Sequence, residues 1–352
     1  MDLPESFGQL GKLRELILHA CYDLDYLPDS FSNLSSLETL EIYGAPYLEE
    51  LPPGFEKLPQ LSRLELFNCA IGELPDEFGG LGNLRVLKID TFEMARYLPY
   101  FFLSLSRLTS LKIHGLQALE QLIAPPTLYQ IPAEREGEAM PHVPPEITSP
   151  RLPEFSTQAR LELLSSLTCL HISHTRLPSL PDNLSDMSGL KVLVQEECPA
   201  MSLLPACLSD LSNLERLDIK SLPLLTHLPE NLGQLKVLSL HLESCTDLQG
   251  LPPSLTLMTS LICLSIVDCP QITSLPDSIS SLSHLASLKL EHLRRLQHVP
   301  PTLPLLPSLV KLSLRGCTGL RALPSDLGSL SCLREVDLDS AATVASGQAE
   351  CD

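Results

Sequence analysis

Cys169, His171 and His174 fall within six residues of one another, and these side chains can ligate a transition metal. A metal needs donors that converge on one point. Here Cys169 and His171 alternate outward along an extended stretch, with His114 on its neighbour, so the cluster reads as an exposed polar patch and no metal site is expected. The eleven cysteines include no C-x-x-C pair, which removes the usual zinc spacing. "GQLGK" at Gly8 to Lys12 approaches a phosphate-binding loop. It lacks the G-x-x-x-x-G-K-[ST] spacing, and Leu13 stands where a hydroxyl should meet magnesium. No Ser-His-Asp set or acid pair stands out either. We therefore expect no catalytic residue and no cofactor, and read the chain as non-enzymatic.

Six of the cysteines share a different property. Cys21, Cys69, Cys198, Cys245, Cys269 and Cys317 each sit at the same place in a recurring unit. Leu-Pro pairs open that unit at Leu3, Leu27, Leu51, Leu74 and Leu98, and again at Leu180, Leu204, Leu228, Leu251, Leu275 and Leu323, with Val299-Pro300 in the same register. Leu122-Ile123 keeps the register without its proline. The unit reads L-P-x-x-h-x-x-L-x-x-L-x-x-L-x-L-x-x-C-x-x-L-x-x, with h apolar, and thirteen copies of 23 or 24 residues follow, the last incomplete.

Two periodicities alternate within each unit. Leu40 and Ile42 point one way and Thr39, Glu41 and Tyr43 the other, which is strand alternation. Between Pro28 and Leu37 the apolar residues step by three, which suits a short helical or 3-10 turn. A proline at the first helical position loses no hydrogen bond. The acids that follow it (Glu5, Asp29, Asp76, Asp182, Glu230, Asp277) suit the positive end of a helix dipole. One unit buries too little to offset the ordering of its own backbone, so neighbours must share a core.

This pattern resembles the leucine-rich repeat. The C-x-x-L-x-x-L-P variant is similar to the repeats of plant intracellular, nucleotide-binding disease-resistance receptors. The L-P-x-x-h-x-x-L-x-x-L segment is also similar to cytosolic Ras-group-related repeat scaffolds. The resemblance implies an α/β solenoid of horseshoe form, with a concave parallel β-sheet and helical or 3-10 turns on the convex side.

Four segments are expected. Residues 1–123 form a block whose h slots hold Phe7, Phe31, Phe55, Phe78 and Phe102. Residues 124–157 are a proline-rich insertion without periodicity, read as a disordered loop. Residues 158–340 form a second block with Leu or Ile in the h slot, and 341–352 are a polar tail. All sixteen aromatics lie at or before Phe155, which suggests two blocks of separate origin. Neither end carries a polar capping repeat. We therefore expect either that the chain belongs to a larger protein or that its ends meet other surfaces.

A net charge of −19 argues against nucleic acid and anionic membranes as partners. No stretch is apolar enough to insert in a bilayer. "MDLPESFGQL" lacks the basic and apolar regions of a secretory signal, so we expect a cytoplasmic location.

With the leucines committed to a core, specificity falls to the outward strand residues. Ile17, Glu41, Tyr43, Arg63, Glu65, Phe67 and Lys88 are the candidate partner-binding residues on the concave face, where aromatics beside charges suit a protein interface. A second, basic patch gathers Lys289, Arg294, Arg295, Lys311 and Arg315, with Arg321, against Glu291. The resemblance implies a protein-recognition or scaffold module in plant-type immune or signalling recognition. Its partners would be proteins and, where the chain is a fragment, an adjoining nucleotide-binding domain. The alternatives are the substrate-recognition part of a repeat-guided enzyme such as a ubiquitin ligase, and a truncated receptor fragment.

Overall fold

The computed structural model describes residues 3–72, 74–90, 98–118, 122 and 161–339. The insertion at 124–157 and the tail at 341–352 lie outside the described residues. Thirteen parallel strands follow one another in chain order in a single sheet that does not close. The connections described are short 3-10 turns. The described residues group into two compact units, one of those up to 177 with 186–190, the other of 178–185 with those from 191 to 339.

The first unit holds β1 (Glu15–His19), β2 (Thr39–Ala45), β3 (Arg63–Cys69), β4 (Val86–Ile89), β5 (Ser110–His114) and β6 (Cys169–Ser173). Each strand pairs with the next in register, one repeat apart, as in Leu40 with Leu64 and Leu64 with Leu87. Leu40, Ile42, Leu64 and Leu66 are fully buried while the residues between them face outward, so the expected alternation is met. Behind the sheet Phe31, Phe55, Phe78 and Phe102 are buried. Phe7, Phe31, Phe55 and Phe78 stack at centroid spacings of 6.2 to 6.4 Å. Phe101, outside the h slot, follows at 5.7 Å from Phe78 with its ring tilted by 48°. Phe7, at the end of the row, is only half-buried.

The second unit holds β7 (Val192–Glu196), β8 (Arg216–Lys220), β9 (Ser239–Glu243), β10 (Cys263–Val267), β11 (Ser287–Glu291), β12 (Lys311–Ser313) and β13 (Glu335–Asp337). Leu184, Leu208, Leu232, Leu255, Ile279 and Leu303 fill the h slots and are fully buried. The bulk that phenylalanine supplies in the first unit is here divided among branched aliphatic side chains.

Each turn is a 3-10 helix of three to five residues, such as Asp29–Asn33 and Asp277–Ser281. The proline is not its first residue. Pro28 caps it in an extended conformation (φ −65°, ψ 149°), and its carbonyl accepts the N–H of Phe31 at 2.9 Å. The same geometry recurs at Pro4, Pro75 and Pro205. Proline fits there because its ring fixes φ near −65° and it has no N–H to satisfy.

At the far end of most strands the chain turns through the left-handed region. Ala20, Gly44, Asn68, Gly115, Ser221, Ser244, Asp268, His292 and Gly316 all have φ between 51° and 75°. The cysteine slot follows, and its thiols hydrogen-bond to strand carbonyls: Cys245 Sγ to Ile219 O at 3.8 Å and Cys317 Sγ to Leu290 O at 3.3 Å. All ten described cysteines are free thiols.

Candidate protein-binding face

Strand β3 supplies the centre of the candidate face. Arg63, Glu65 and Phe67 project outward from it, alternating with buried Leu64 and Leu66. Register brings Glu41 and Tyr43 of β2 beside Glu65 and Phe67, and Lys88 of β4 beside Glu65. Ile17 of β1 lies beside Glu41 and is 42% exposed. All seven expected residues therefore share one face of β1 to β4.

Two carboxylates on adjacent strands would repel. Here the cations of two strands hold them. Arg63 Nε donates to Glu41 Oε1 at 2.8 Å, while its terminal nitrogen meets Glu65. Lys88 Nζ lies 2.8 Å from the same Glu65 oxygen, and the Tyr43 hydroxyl donates to the other. Only 1% of Glu65 remains exposed, although it points away from the core. Burial pushes its carboxyl up, but the hydrogen bonds from Lys88 and Tyr43 and the charges of Lys88 and Arg63 outweigh that, so it sits below the usual carboxylate value. Burial, then the hydrogen bond to Glu65, pushes the Tyr43 phenol up, so it stays protonated and donating.

The aromatic row of the face does not pass through Ile17. Ile17 is one row away from Tyr43. The partner on β1 is His19, whose ring stacks on Tyr43 at 4.9 Å, and Tyr43 stacks on Phe67 at 5.5 Å. A run of 24-residue steps through His19, Tyr43 and Phe67 carries this signal in the sequence.

The basic patch is partly neutralised. Lys289 Nζ lies 3.0 Å from Glu291, Lys311 Nζ 2.6 Å from Glu335 and Arg315 3.8 Å from Asp337. The two acids of β13 lie beyond Arg321 in sequence and were not weighed with Glu291 against the patch. Arg294 and Arg295 sit in the turn after β11, off the strand face.

Sequence spacing also hid Asp218, His241 and Ser265, one row of β8, β9 and β10. These are the residue types of a nucleophilic triad, yet their hydrogen bonds run elsewhere. Arg216 grips both Asp218 oxygens at 2.9 and 2.7 Å, and His241 Nε2 pairs with Ser239 Oγ at 2.7 Å. Burial depresses the His241 imidazole, so it is less readily protonated. His114 likewise shares Nδ1 with Ser173 Oγ at 3.0 Å, and among the described residues no group of acids, histidines and cysteines could hold a metal. No helix among those residues is long and apolar enough to cross a membrane.

No family model matches the sequence, and no curated protein does. Solved structures do. A leucine-rich repeat protein of Leptospira interrogans is 24% identical over 96% of this chain and 87% of that one, with a TM-score of 0.53. An internalin of Listeria monocytogenes is 16% identical over 96% of this chain and 90% of that one, with a TM-score of 0.51. A chain of the Toll–Spatzle complex of Drosophila is 19% identical over 96% of this chain but only 38% of that one, with a TM-score of 0.60. With these likenesses, the thirteen in-register strands and their 3-10 turns are the leucine-rich repeat solenoid fold.

Proposed function

We propose that this chain is a non-enzymatic recognition module that captures a protein on the outward face of β1 to β4. The observation that carries this reading is the row His19, Tyr43 and Phe67, stacked at 4.9 and 5.5 Å beside a fixed cluster of two acids and two cations. Flat aromatic surface costs little side-chain entropy to present, and pre-paired charges add orientation without having to be gathered at the moment of binding. The Toll–Spatzle chain is similar in fold and belongs to a complex named for development and innate immunity. Together with the C-x-x-L-x-x-L-P resemblance, this supports immune or signalling recognition in the cytoplasm, beside a nucleotide-binding domain where one adjoins. The test is affinity capture with Tyr43→Ala/Phe67→Ala. Loss of the captured partner from a chain that circular dichroism shows still folded is expected, and an unchanged set of partners would overturn the assignment to this face.

A further inference from the structure

Of the lysines and arginines on the described strands, Arg63, Lys88, Arg216, Lys289 and Lys311 each form an ion pair. Lys220 stands between Glu196 and Glu243 in register. Lys112 of β5 differs. It projects outward between buried Leu111 and Ile113 and is half-buried. Its register neighbours are Lys88 on β4 and His171 on β6, neither of which carries a negative charge. Among the described residues Lys112 makes no ion pair. Asp90, which follows β4, accepts the Asn68 N–H at 2.7 Å, on the side of β3.

Two lysines directly opposite on paired strands repel. Lys88 is drawn to Glu65, which leaves the charge of Lys112 uncompensated. The neighbouring cluster of Glu41, Glu65, Arg63 and Lys88 sums to zero. A partner's charge entering there would have to break a pair already made. At Lys112 an incoming carboxylate gains an ion pair, breaks none and relieves the repulsion from Lys88. The net charge of −19 disfavours a strongly acidic partner. The site therefore suits a single carboxylate rather than an acidic run.

We infer that Lys112 receives an aspartate or glutamate side chain of the protein captured on this face. This rests on the reading of β1 to β4 as the capture face, and it adds the chemistry of the partner. Phe67 and Lys112 lie two strands and two residues apart. That is about 10 Å across the sheet and about 7 Å along it, or about 12 Å in all. A segment taken up in extended form covers the distance in about three to four residues. The recognised feature is then an acid at that spacing from the apolar residue that lies on Phe67.

The experiment is selection of a phage-displayed library of random dodecapeptides on the immobilised full chain. Wild type should enrich peptides with Asp or Glu about three to four residues from an apolar residue. In a selected peptide, Asp→Asn or Glu→Gln should weaken binding about tenfold to wild type and less than about twofold to Lys112→Met. Lys112→Glu should enrich Lys or Arg at that place instead. Circular dichroism checks that each variant is folded, and Lys112 lies outside the core. An apolar preference that survives Tyr43→Ala/Phe67→Ala would overturn the aromatic capture reading and leave the Lys112 contact standing. A library from which wild type retains nothing, retained peptides without an acid, or an acidic preference that survives Lys112→Met would each overturn the inference itself.

Discussion

Tyr43 donates its hydroxyl to the buried carboxylate of Glu65 on the adjacent strand, and so ties the aromatic row to the charged cluster. Glu65 is depressed below its ordinary value of 4.5. A carboxyl whose folded pKa is lowered stabilises the fold above the unfolded value and loses that contribution as pH falls through the folded one. Wild type should therefore be more stable than Glu65→Gln at pH 7. The gap should begin to narrow near pH 4.5 and close on further acidification. Thermal melts of both chains across pH 7 to 3 measure it.

Tyr43→Phe separates stability from recognition. The ring and its stacking on His19 and Phe67 remain, while Glu65 loses a donor to a buried charge. Stability should drop by about 1–2 kcal/mol, read as a shift of the urea midpoint. Partner capture should persist, in contrast to Tyr43→Ala/Phe67→Ala.

Two glycines should respond unequally to alanine. Gly44 has φ +75°, but a Cβ there meets nothing closer than 3.6 Å. Gly44→Ala should cost about 1 kcal/mol, the left-handed penalty alone. At Gly233 a Cβ would lie 1.9 Å from the backbone carbonyl of Ser254 in the next coil. Gly233→Ala must push two coils apart and should cost more, about 2–3 kcal/mol. Denaturant unfolding of the two variants gives the order.

Thiol labelling should follow burial. Cys332 is exposed, whereas Cys245 and Cys269 are fully buried neighbours in the cysteine slot. The Cys269 thiol is pushed up by its hydrogen bond to Cys245 and by burial, so it resists forming the reactive thiolate. A maleimide at pH 7 should modify Cys332 within minutes and reach Cys245 and Cys269 only after denaturant is added. Mass spectrometry of digested protein tracks each site.

The solenoid was legible because its signal repeats. Leu40 and Leu64 occupy one slot and one environment, so each copy confirms the others. The candidate face was legible only in part. Period-two alternation places Glu65 and Asp218 on the outward face but does not tell that both are 1% exposed. Their burial depends on which cations stand beside them: Lys88 on the adjacent strand for Glu65, and Arg216 on the same strand for Asp218. Two acids opposing the basic patch were missed for the same reason, since Glu335 and Asp337 approach it through the register of β12 and β13 rather than through nearby sequence. Proline's place as cap, one residue earlier than expected, follows from its ψ near 150°, a backbone angle that residue type alone leaves open.

Gln195 breaks the repeat where the pattern demands an apolar residue. Its slot holds Ile219 on β8 in paired register, and Leu242 and Ile266 further along, all fully buried. Gln195 is equally buried, and among the described residues neither its amide nitrogen nor its amide oxygen has a hydrogen-bond partner. An amide removed from water without compensation costs about 1–3 kcal/mol. Gln195→Leu removes that cost at similar volume and restores the consensus of the slot, so it should stabilise the second unit by about that amount. Gln195→Glu, with a charge in the same place, should destabilise it by more. Urea midpoints of the two variants against wild type decide the matter, and a Leu variant no more stable than wild type would mean that the amide finds partners in solution.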